Sequence, residues 1–180
     1  YAIIPDVFCP SAYASPEASK FHLSLLKDAI RSRGLVRNLH SGGWLRFVQE
    51  NRDRWDMSRI KELLKVIVRD RLCYSTACGE AVPSTAAEWC QEALESHVVS
   101  PLQGIIADQP TADLHNDENL IAAATQLTEK TWWTGGKNSI ELKRTTNGYL
   151  EALGPTLRHS NSIWFIDPHL DPDRPDYRGF

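Results

Sequence analysis

The 180-residue chain carries a net charge of −3, and its 42% hydrophobic and 24% charged residues are typical of a folded globular protein. This length is enough for a core, so we expect one α/β domain over 1–180, and the start at Tyr1 indicates a fragment of a longer protein. The longest apolar runs are too short to span a bilayer and no signal peptide is evident, so we expect a cytoplasmic protein without membrane contact.

The cysteines and glycines carry no recognisable cofactor motif. The four cysteines form no C-x-x-C pair, which favours free, mostly buried thiols in a reducing compartment. A zinc site built from Cys73, Cys78, Cys90 and His97 is the less favoured alternative. The loop Ser41–Gly43 lacks both the P-loop and the dinucleotide-binding patterns. We therefore expect no cofactor.

Apolar runs and turn signals alternate along the chain. We expect strands at 2–8, 35–39, 104–108, 139–144 and 162–167. We expect helices after Ser15, near Trp44, after Asp56, after Ser84, near Asp117 and from Asn147. The run at 162–167 is apolar without alternation and is typical of a strand buried on both faces. The pattern predicts an α/β fold, with a mixed sheet of about four to five strands covered by helices on both faces.

Three local features refine these assignments. Pro5 has no N–H group, so it restricts the first strand to a sheet edge or to a strand end. Residues 73–83 are rich in small side chains, which predicts a loop. Gly154 and Pro155 predict a kink in the last helix, or two short helices.

The positive charge is concentrated in residues 20–72, which contain 13 Lys/Arg and 6 Asp/Glu, a local net charge of +7. The remainder contains 7 basic and 17 acidic residues, a net charge of −10. One face of the helix after Asp56 carries Arg59, Lys61, Lys65 and Arg69, which favours an anionic partner such as nucleic acid. The alternative is an ordinary solvated outer face. A binding surface requires these residues to be exposed together, with neighbours such as Arg31 and Arg37.

A second candidate site lies near the C-terminus. Arg144 and Thr146 join a strand to a helix N-terminus and could hold a phosphate. Asp167, His169 and Asp171 follow the strand at 162–167, where ligands meet open α/β sheets. If the two strands are adjacent, these five residues share one rim. Alternate Asp and His side chains from Asp167 to Asp176 could also bind a divalent ion, but a proline-rich capping loop is the simpler interpretation.

The same region resembles the opening of a phospholipase D-like domain. The resemblance rests on Arg144–Tyr149 and Leu157–Arg158, followed by Ser162–Leu170, a hydrophobic strand ending in Asp-Pro-His. It implies a mixed sheet between helices and, in active members, phosphodiester cleavage by a histidine nucleophile with a lysine on the phosphate. The family's catalytic His-x-Lys motif is absent at all six histidines, so the resemblance places catalysis beyond Phe180.

Two functions follow as hypotheses. The first is the N-terminal part of a phospholipase D-like phosphodiesterase or nuclease, not catalytic by itself, with a phosphodiester as substrate. The second is a module that binds nucleic acid or another polyanion through residues 20–72. A scaffold domain with neither property is the third alternative.

Overall fold

The computed structural model describes residues 1–115, 119–135 and 145–159. Contacts divide the chain into two compact units, Tyr1–Ser139 and Ile140–Phe180, which we call unit 1 and unit 2. The described part of the chain combines seven α-helices with five short strands, so the predicted α/β class is confirmed. The helices are α1 (Pro16–Arg33), α2 (Gly43–Glu50), α3 (Met57–Val66), α4 (Ala86–Val99), α5 (Gln109–Asp113), α6 (Thr131–Thr134) and α7 (Thr146–His159).

The strands of unit 1 form two small parallel sheets. The strands are β1 (Ala2–Ile3), β2 (Val36–Asn38), β3 (Leu72–Tyr74), β4 (Ile105–Ala107) and β5 (Ile121–Ala123). One sheet has the order β1-β4-β5, and β2 pairs with β3 in the other. The register aligns Ile3 with Ile106 and Arg37 with Cys73. Because the paired strands are parallel, their carboxyl ends lie at the same edge of each sheet.

Two backbone hydrogen bonds join the sheets where β1 and β2 run side by side. The main-chain nitrogen of Tyr1 donates to the carbonyl of Leu35 over 2.7 Å, and the N–H of Arg37 donates to the carbonyl of Tyr1 over 2.8 Å. This seam places the strands in the order β3-β2-β1-β4-β5. The carboxyl ends of β1, β2, β3 and β4 are therefore where polar residues of unit 1 can meet.

The sheet expected from the sequence needs correction. Each sheet is smaller than the predicted four to five strands, and every described pairing is parallel, whereas a mixed sheet was predicted. Pro5 also shortens β1, because it begins a 3₁₀ turn just after the strand and has no N–H to extend the ladder. Of the two alternatives for Pro5, the strand end is confirmed, and the sheet edge is wrong because β1 has β4 on one side and β2 on the other.

Three local predictions in the middle of the chain also need correction. Residues 121–127 were expected within a helix, but Ile121–Ala123 form β5 because their backbone pairs with β4. The expected loop at 73–83 begins inside β3, whose backbone pairs with β2. Thr85 rather than Ser84 is the N-cap of α4, in a reciprocal capping box with Glu88.

The strongest local signals are confirmed. Ser15 caps α1, its Oγ accepting the N–H of Ala18 over 3.1 Å, with Pro16 in the first turn as expected. The buried strand predicted at 104–108 is β4, which ends before Asp108.

In unit 2, α7 runs through Gly154 and Pro155 as one helix, so the predicted division into two helices is wrong. The strands predicted at 139–144 and 162–167 lie outside the described residues.

The core of unit 1 is built on the strands and on two tryptophans that are fully buried. Trp44 of α2 donates its indole N–H to the carbonyl of Ile3, which fixes α2 to the end of β1. Trp89 of α4 contacts Phe47 of α2 edge-to-face, with ring centroids 5.5 Å apart. These contacts hold α2 and α4 against the sheet. None of the described helices has the length and apolar character needed to cross a bilayer.

Candidate functional site

The predicted C-terminal anion site falls almost entirely outside the described residues. Arg144, Asp167, His169 and Asp171 all lie there. Thr146 is described: it is exposed and is the first residue of α7. The preceding Thr145 provides the predicted hydroxyl cap, its Oγ1 accepting the N–H of Gly148 over 3.1 Å. The predicted rim of the sheet stays a prediction.

The basic face of α3 follows from its sequence spacing. Ile60 and Leu63 are buried, so the helix presents its opposite face to solvent. Lys61 and Lys65 are four residues apart on that exposed face, and Arg69 continues the spacing in the π-helical turn Ile67–Arg71 that follows α3. The predicted stripe of positive side chains is therefore exposed along one line.

This stripe forms one wall of a cleft of about 1110 Å³, which we call the basic cleft. Other residues of the cleft come from the end of α1, from α2 and from the segment after α2. Six basic and two acidic residues line it. The basic residues are Arg31, Arg52, Lys61, Lys65, Arg69 and Arg71. The structure thus brings three of the four predicted residues into one concave surface and adds three arginines from neighbouring segments.

The two acidic residues of the basic cleft are each paired locally. Glu62 accepts a hydrogen bond from Lys65 over 2.8 Å, and Asp70 lies 3.2 Å from Arg69. Lys65 is the first cause of the lowered pKa of Glu62. Three of the basic side chains have no carboxylate within 4.0 Å in the part of the chain that the structure describes. They are Lys61, Arg31 of α1 and Arg52 of the segment after α2. The cleft therefore keeps unpaired positive charge.

Two arginines that the sequence associated with this surface lie elsewhere. Arg59 is ion-paired with Asp56 at the start of α3 and does not line the cleft. Arg37 is only 4% exposed, and its guanidinium donates to the carbonyl groups of Ser96 and Ser100 at the end of α4. The expectation that Arg37 extends an exposed patch is wrong, because its position in β2 directs it into the protein.

The floor of the basic cleft is aliphatic. Leu45 and Val48 of α2 line it together with Met57 and Leu64 of α3. No aromatic side chain is among the described residues that line it. Stacking of nucleobases, which relies on aromatic rings, is thus not offered by these side chains, whereas contacts with phosphates are.

A different arrangement of charges lies beyond the carboxyl ends of β2 and β3. The Sγ of Cys78 and carboxylate oxygens of Glu92 and Glu95 all lie within 4.8 Å of one another. His40 adds a fourth group, because its Nδ1 lies 3.5 Å from Oε1 of Glu92. We call these four residues the strand-end cluster. Cys78, Glu92 and Glu95 are the one group of three or more potential metal ligands found among the described residues, and His40 lies beside this group through its contact with Glu92.

The backbone around the strand-end cluster is tightly held. His40 and Ser41 have φ values of 53° and 51°, a left-handed conformation that costs energy for residues other than glycine. Ser41 Oγ accepts the N–H of Ala77 over 2.9 Å, and Glu92 Oε1 accepts the N–H of Cys78 over 3.0 Å. Burial, with the carboxylates of Glu92 and Glu95, raises the pKa of Cys78.

The zinc site considered from the cysteine positions is not formed. Cys73 lies against the carbonyl of Val36, with Sγ 3.5 Å from its oxygen, and His97 Nδ1 accepts the N–H of Leu102 over 2.9 Å. Burial is the main cause of the raised pKa of Cys90, about 11, so this thiol stays protonated at neutral pH. All four cysteines are free, as predicted.

A pair of carboxylates lies beyond the ends of β1 and β4. Oδ2 of Asp6 and Oδ1 of Asp108 are inaccessible and lack hydrogen-bond partners among the described residues. Oδ1 of Asp6 lies 3.3 Å from the guanidinium of Arg54. Burial raises the pKa of Asp6, the charge of Arg54 opposes that rise, and the charge of Asp108 adds to it. The charged form of Asp6 is therefore disfavoured by its surroundings.

No family model matches the chain, and neither a curated protein nor a solved structure matches it. Function is therefore argued from the geometry alone. Sequence reasoning did not predict that Arg52 lines the basic cleft, that the strand-end cluster forms, or that Asp6 lies near Asp108. Asp108 closes the strand predicted at 104–108, and the parallel arrangement of strand ends would have been the signal for bringing it near Asp6.

Proposed function

We propose that unit 1 binds the phosphate backbone of nucleic acid through the basic cleft. The observation that carries the proposal is the cleft itself, where six basic side chains from separate segments line one concavity. Neutralising phosphates releases condensed counterions, which makes such a surface favourable for a polyanion and sensitive to salt. An ordinary solvated helix face would carry its charges on a convex surface.

The chemistry of the cleft favours contacts to the backbone over reading of the bases. Lysine and arginine side chains bind phosphate oxygens without regard to sequence. The aliphatic floor offers surface for the sugar but no aromatic ring for a base, among the residues described. We therefore expect binding with little sequence preference, to single strands or to a duplex edge.

The wider hypothesis keeps this domain within a phosphodiester-processing protein. A basic cleft would hold the polyanion while chemistry takes place elsewhere in the full-length protein. The phospholipase D-like relationship stays a prediction, because the residues that carry it lie outside the described ones except for part of α7. The catalytic residues of that family are not carried over to any position of this chain.

Fluorescence anisotropy with labelled oligonucleotides tests the proposal. Lys61→Glu combined with Lys65→Glu should weaken binding by roughly tenfold or more and reduce the dependence of log K on log salt by about 1.8, because about 0.9 is lost for each phosphate contact. The matched control is Lys20→Glu with Arg46→Glu, which makes the same change in net charge at exposed positions outside the cleft.

The outcomes separate the alternatives. Weaker binding by the cleft variant, with the control close to wild type and scrambled sequences bound equally, supports the proposal. Equal losses in both double variants would show that overall charge, not the cleft, is responsible. An unmodified chain that binds no oligonucleotide at low salt would exclude this function. Heparin competition that is far stronger than competition by DNA would assign the cleft to another class of polyanion.

A further inference from the structure

The geometry points to a binding site for one divalent transition-metal ion, of the zinc class, in the strand-end cluster of His40, Cys78, Glu92 and Glu95. The cluster lies outside the basic cleft and shares no residue with it. The inference therefore does not depend on the proposed nucleic-acid binding.

The first observation is the convergence of three anionic or potentially anionic donors. One sulfur and two carboxylate oxygens lie within 4.8 Å of one another. Without a cation, these groups repel one another when charged. Glu92 has a side chain only 4% exposed, so its charge has little help from water. A bound cation would remove this cost.

The second, independent observation is the state of His40. Its side chain is 8% exposed, and its Nδ1 is buried without a hydrogen-bond partner. Buried imidazole nitrogens ordinarily have a partner. Nδ1 faces Oε1 of Glu92 at 3.5 Å, which is beyond a normal hydrogen bond. Two ligands that share a tetrahedral zinc ion, each at about 2.0–2.2 Å, are roughly 3.4 Å apart, so this separation suits two ligands of one ion.

The donor set selects the class of metal. A thiolate and an imidazole are ligands of borderline-soft ions, whereas Mg²⁺ and Ca²⁺ favour oxygen alone. Two carboxylates complete four ligands. The ligand atoms of Cys78, Glu92 and Glu95 lie within 4.8 Å of one another, and rotation of the exposed Glu95 side chain can shorten its separation from the other two, while His40 joins them through its 3.5 Å approach to Glu92. The cluster thus fits one tetrahedral ion with nitrogen, sulfur and oxygen ligands.

The backbone supports the same arrangement. The N–H of Cys78 already donates to Oε1 of Glu92, so the loop after β3 is held against α4. The left-handed residue His40 is braced through Ser41, which contacts the same loop at Ala77. These contacts bring ligands from the segment after β2, from the loop after β3 and from α4 together before any ion binds, which reduces the ordering cost of binding.

Titration of the full chain with Co²⁺ tests the site. Co²⁺ in a tetrahedral site with a thiolate gives strong visible d–d bands and a near-ultraviolet charge-transfer band. We expect saturation at one Co²⁺ per chain, and loss of the bands when one equivalent of Zn²⁺ is added. Cys78→Ser should abolish the charge-transfer band and weaken Co²⁺ binding by roughly tenfold or more.

The matched control is Cys9→Ser, because Cys9 is half-buried like Cys78 and lies outside the cluster. It should titrate as wild type does. Glu95→Gln, at an exposed position that folding tolerates, should also weaken Co²⁺ binding. His40→Gln should change the d–d bands by replacing a nitrogen ligand. No tetrahedral spectrum in the wild-type chain, a charge-transfer band that survives Cys78→Ser, or equal losses in Cys9→Ser would each overturn the inference.

Discussion

The basic cleft and the surroundings of α4 use charged side chains in opposite ways. In the cleft, Lys65 is 61% exposed and Arg69 is 84% exposed, and their local partners lie on the surface. Around α4, Arg37 and Glu92 are almost fully buried and bonded to backbone groups. Charges of the first kind add little to stability and are available to a ligand. Charges of the second kind are part of the fold, and removing one leaves buried groups without partners.

This difference matters for function because exposed cations and buried polar groups need different explanations. An exposed, unpaired cation can be explained only by solvation or by a partner, so Lys61 must be tested by binding. A buried polar group needs a physical account within the protein. Arg37 has one, whereas His40, which lacks a partner at Nδ1, does not. A metal ion bound between His40 and the converging donors of Cys78, Glu92 and Glu95 would supply that partner.

The largest expected effect comes from Arg37→Leu. The guanidinium donates to the carbonyl of Ser96 over 3.0 Å and to that of Ser100 over 2.7 Å, which ties β2 to the end of α4. Leucine leaves these acceptors without the donor, so the free energy of unfolding should fall by about 3 kcal/mol. Urea denaturation measures it. A loss below about 0.5 kcal/mol, the size of a surface change, would contradict the structural role.

Asp6→Asn, in contrast, should raise the free energy of unfolding at pH 7. Burial and the nearby charge of Asp108 raise the pKa of Asp6, so the folded state holds its proton to a higher pH than the unfolded state does. The stability linked to this proton is present below the unfolded pKa and is lost as pH rises through the folded pKa. Asparagine removes the charge, so it should stabilise the protein at pH 7, less the contribution of the ion pair with Arg54 that it also removes.

Denaturation of wild type and Asp6→Asn across pH 3 to 7 checks this prediction. The two stability curves should separate as pH rises. The matched control is Asp113→Asn, because Asp113 is an exposed acid at the end of α5 and its removal should leave the pH dependence close to wild type. Parallel curves for wild type and Asp6→Asn would show that the carboxyl of Asp6 is not destabilised by its surroundings.

Acid should weaken the start of α4. Backbone N–H groups of Ser84 and Thr85 and the Ser84 hydroxyl donate to the carboxylate of Glu88, which lowers its pKa to about 2. A lowered pKa gives stability that is present above the unfolded value of 4.5 and is lost as pH falls toward about 2. In Glu88→Gln this acid-dependent loss should be absent. Thermal melts at pH 5 and pH 3 should therefore differ less in the variant than in wild type, and an unchanged difference would contradict the capping box.

Local signals explain which parts of this fold could be predicted. Ser15, Pro16 and Glu17 fix the start of α1 through a cap, a preset φ and an acid in the first turn, all within one short segment. The strand β5 could not be predicted in this way. The apolar residues from 120 to 127 have helical spacing, and only backbone pairing with β4, which is remote in sequence, makes Ile121–Ala123 a strand.

The residues of the two sites also differ in whether local signals could predict them. Lys61, Lys65 and Arg69 share one helical spacing, so sequence alone predicted their common face. Arg52 joins them from the separate turn after α2 through the tertiary fold, which periodicity cannot show. His40 and Glu92 come from a loop and a helix that are distant in sequence and meet only after the parallel strands are aligned. Burial without a hydrogen bond, the property that singles out His40, has no signature in sequence.

The smallest change in stability is expected for the two lysines of the basic cleft. Lys61→Glu with Lys65→Glu should change the free energy of unfolding by less than about 0.5 kcal/mol without a ligand, because both side chains are exposed and the ion pair of Lys65 with Glu62 lies in solvent. The same variant should lose nucleic-acid binding. Urea denaturation and anisotropy on one preparation measure both. A large loss of stability would show that the cleft lysines, like Arg37, belong to the fold, and weaker binding could then not be assigned to lost phosphate contacts.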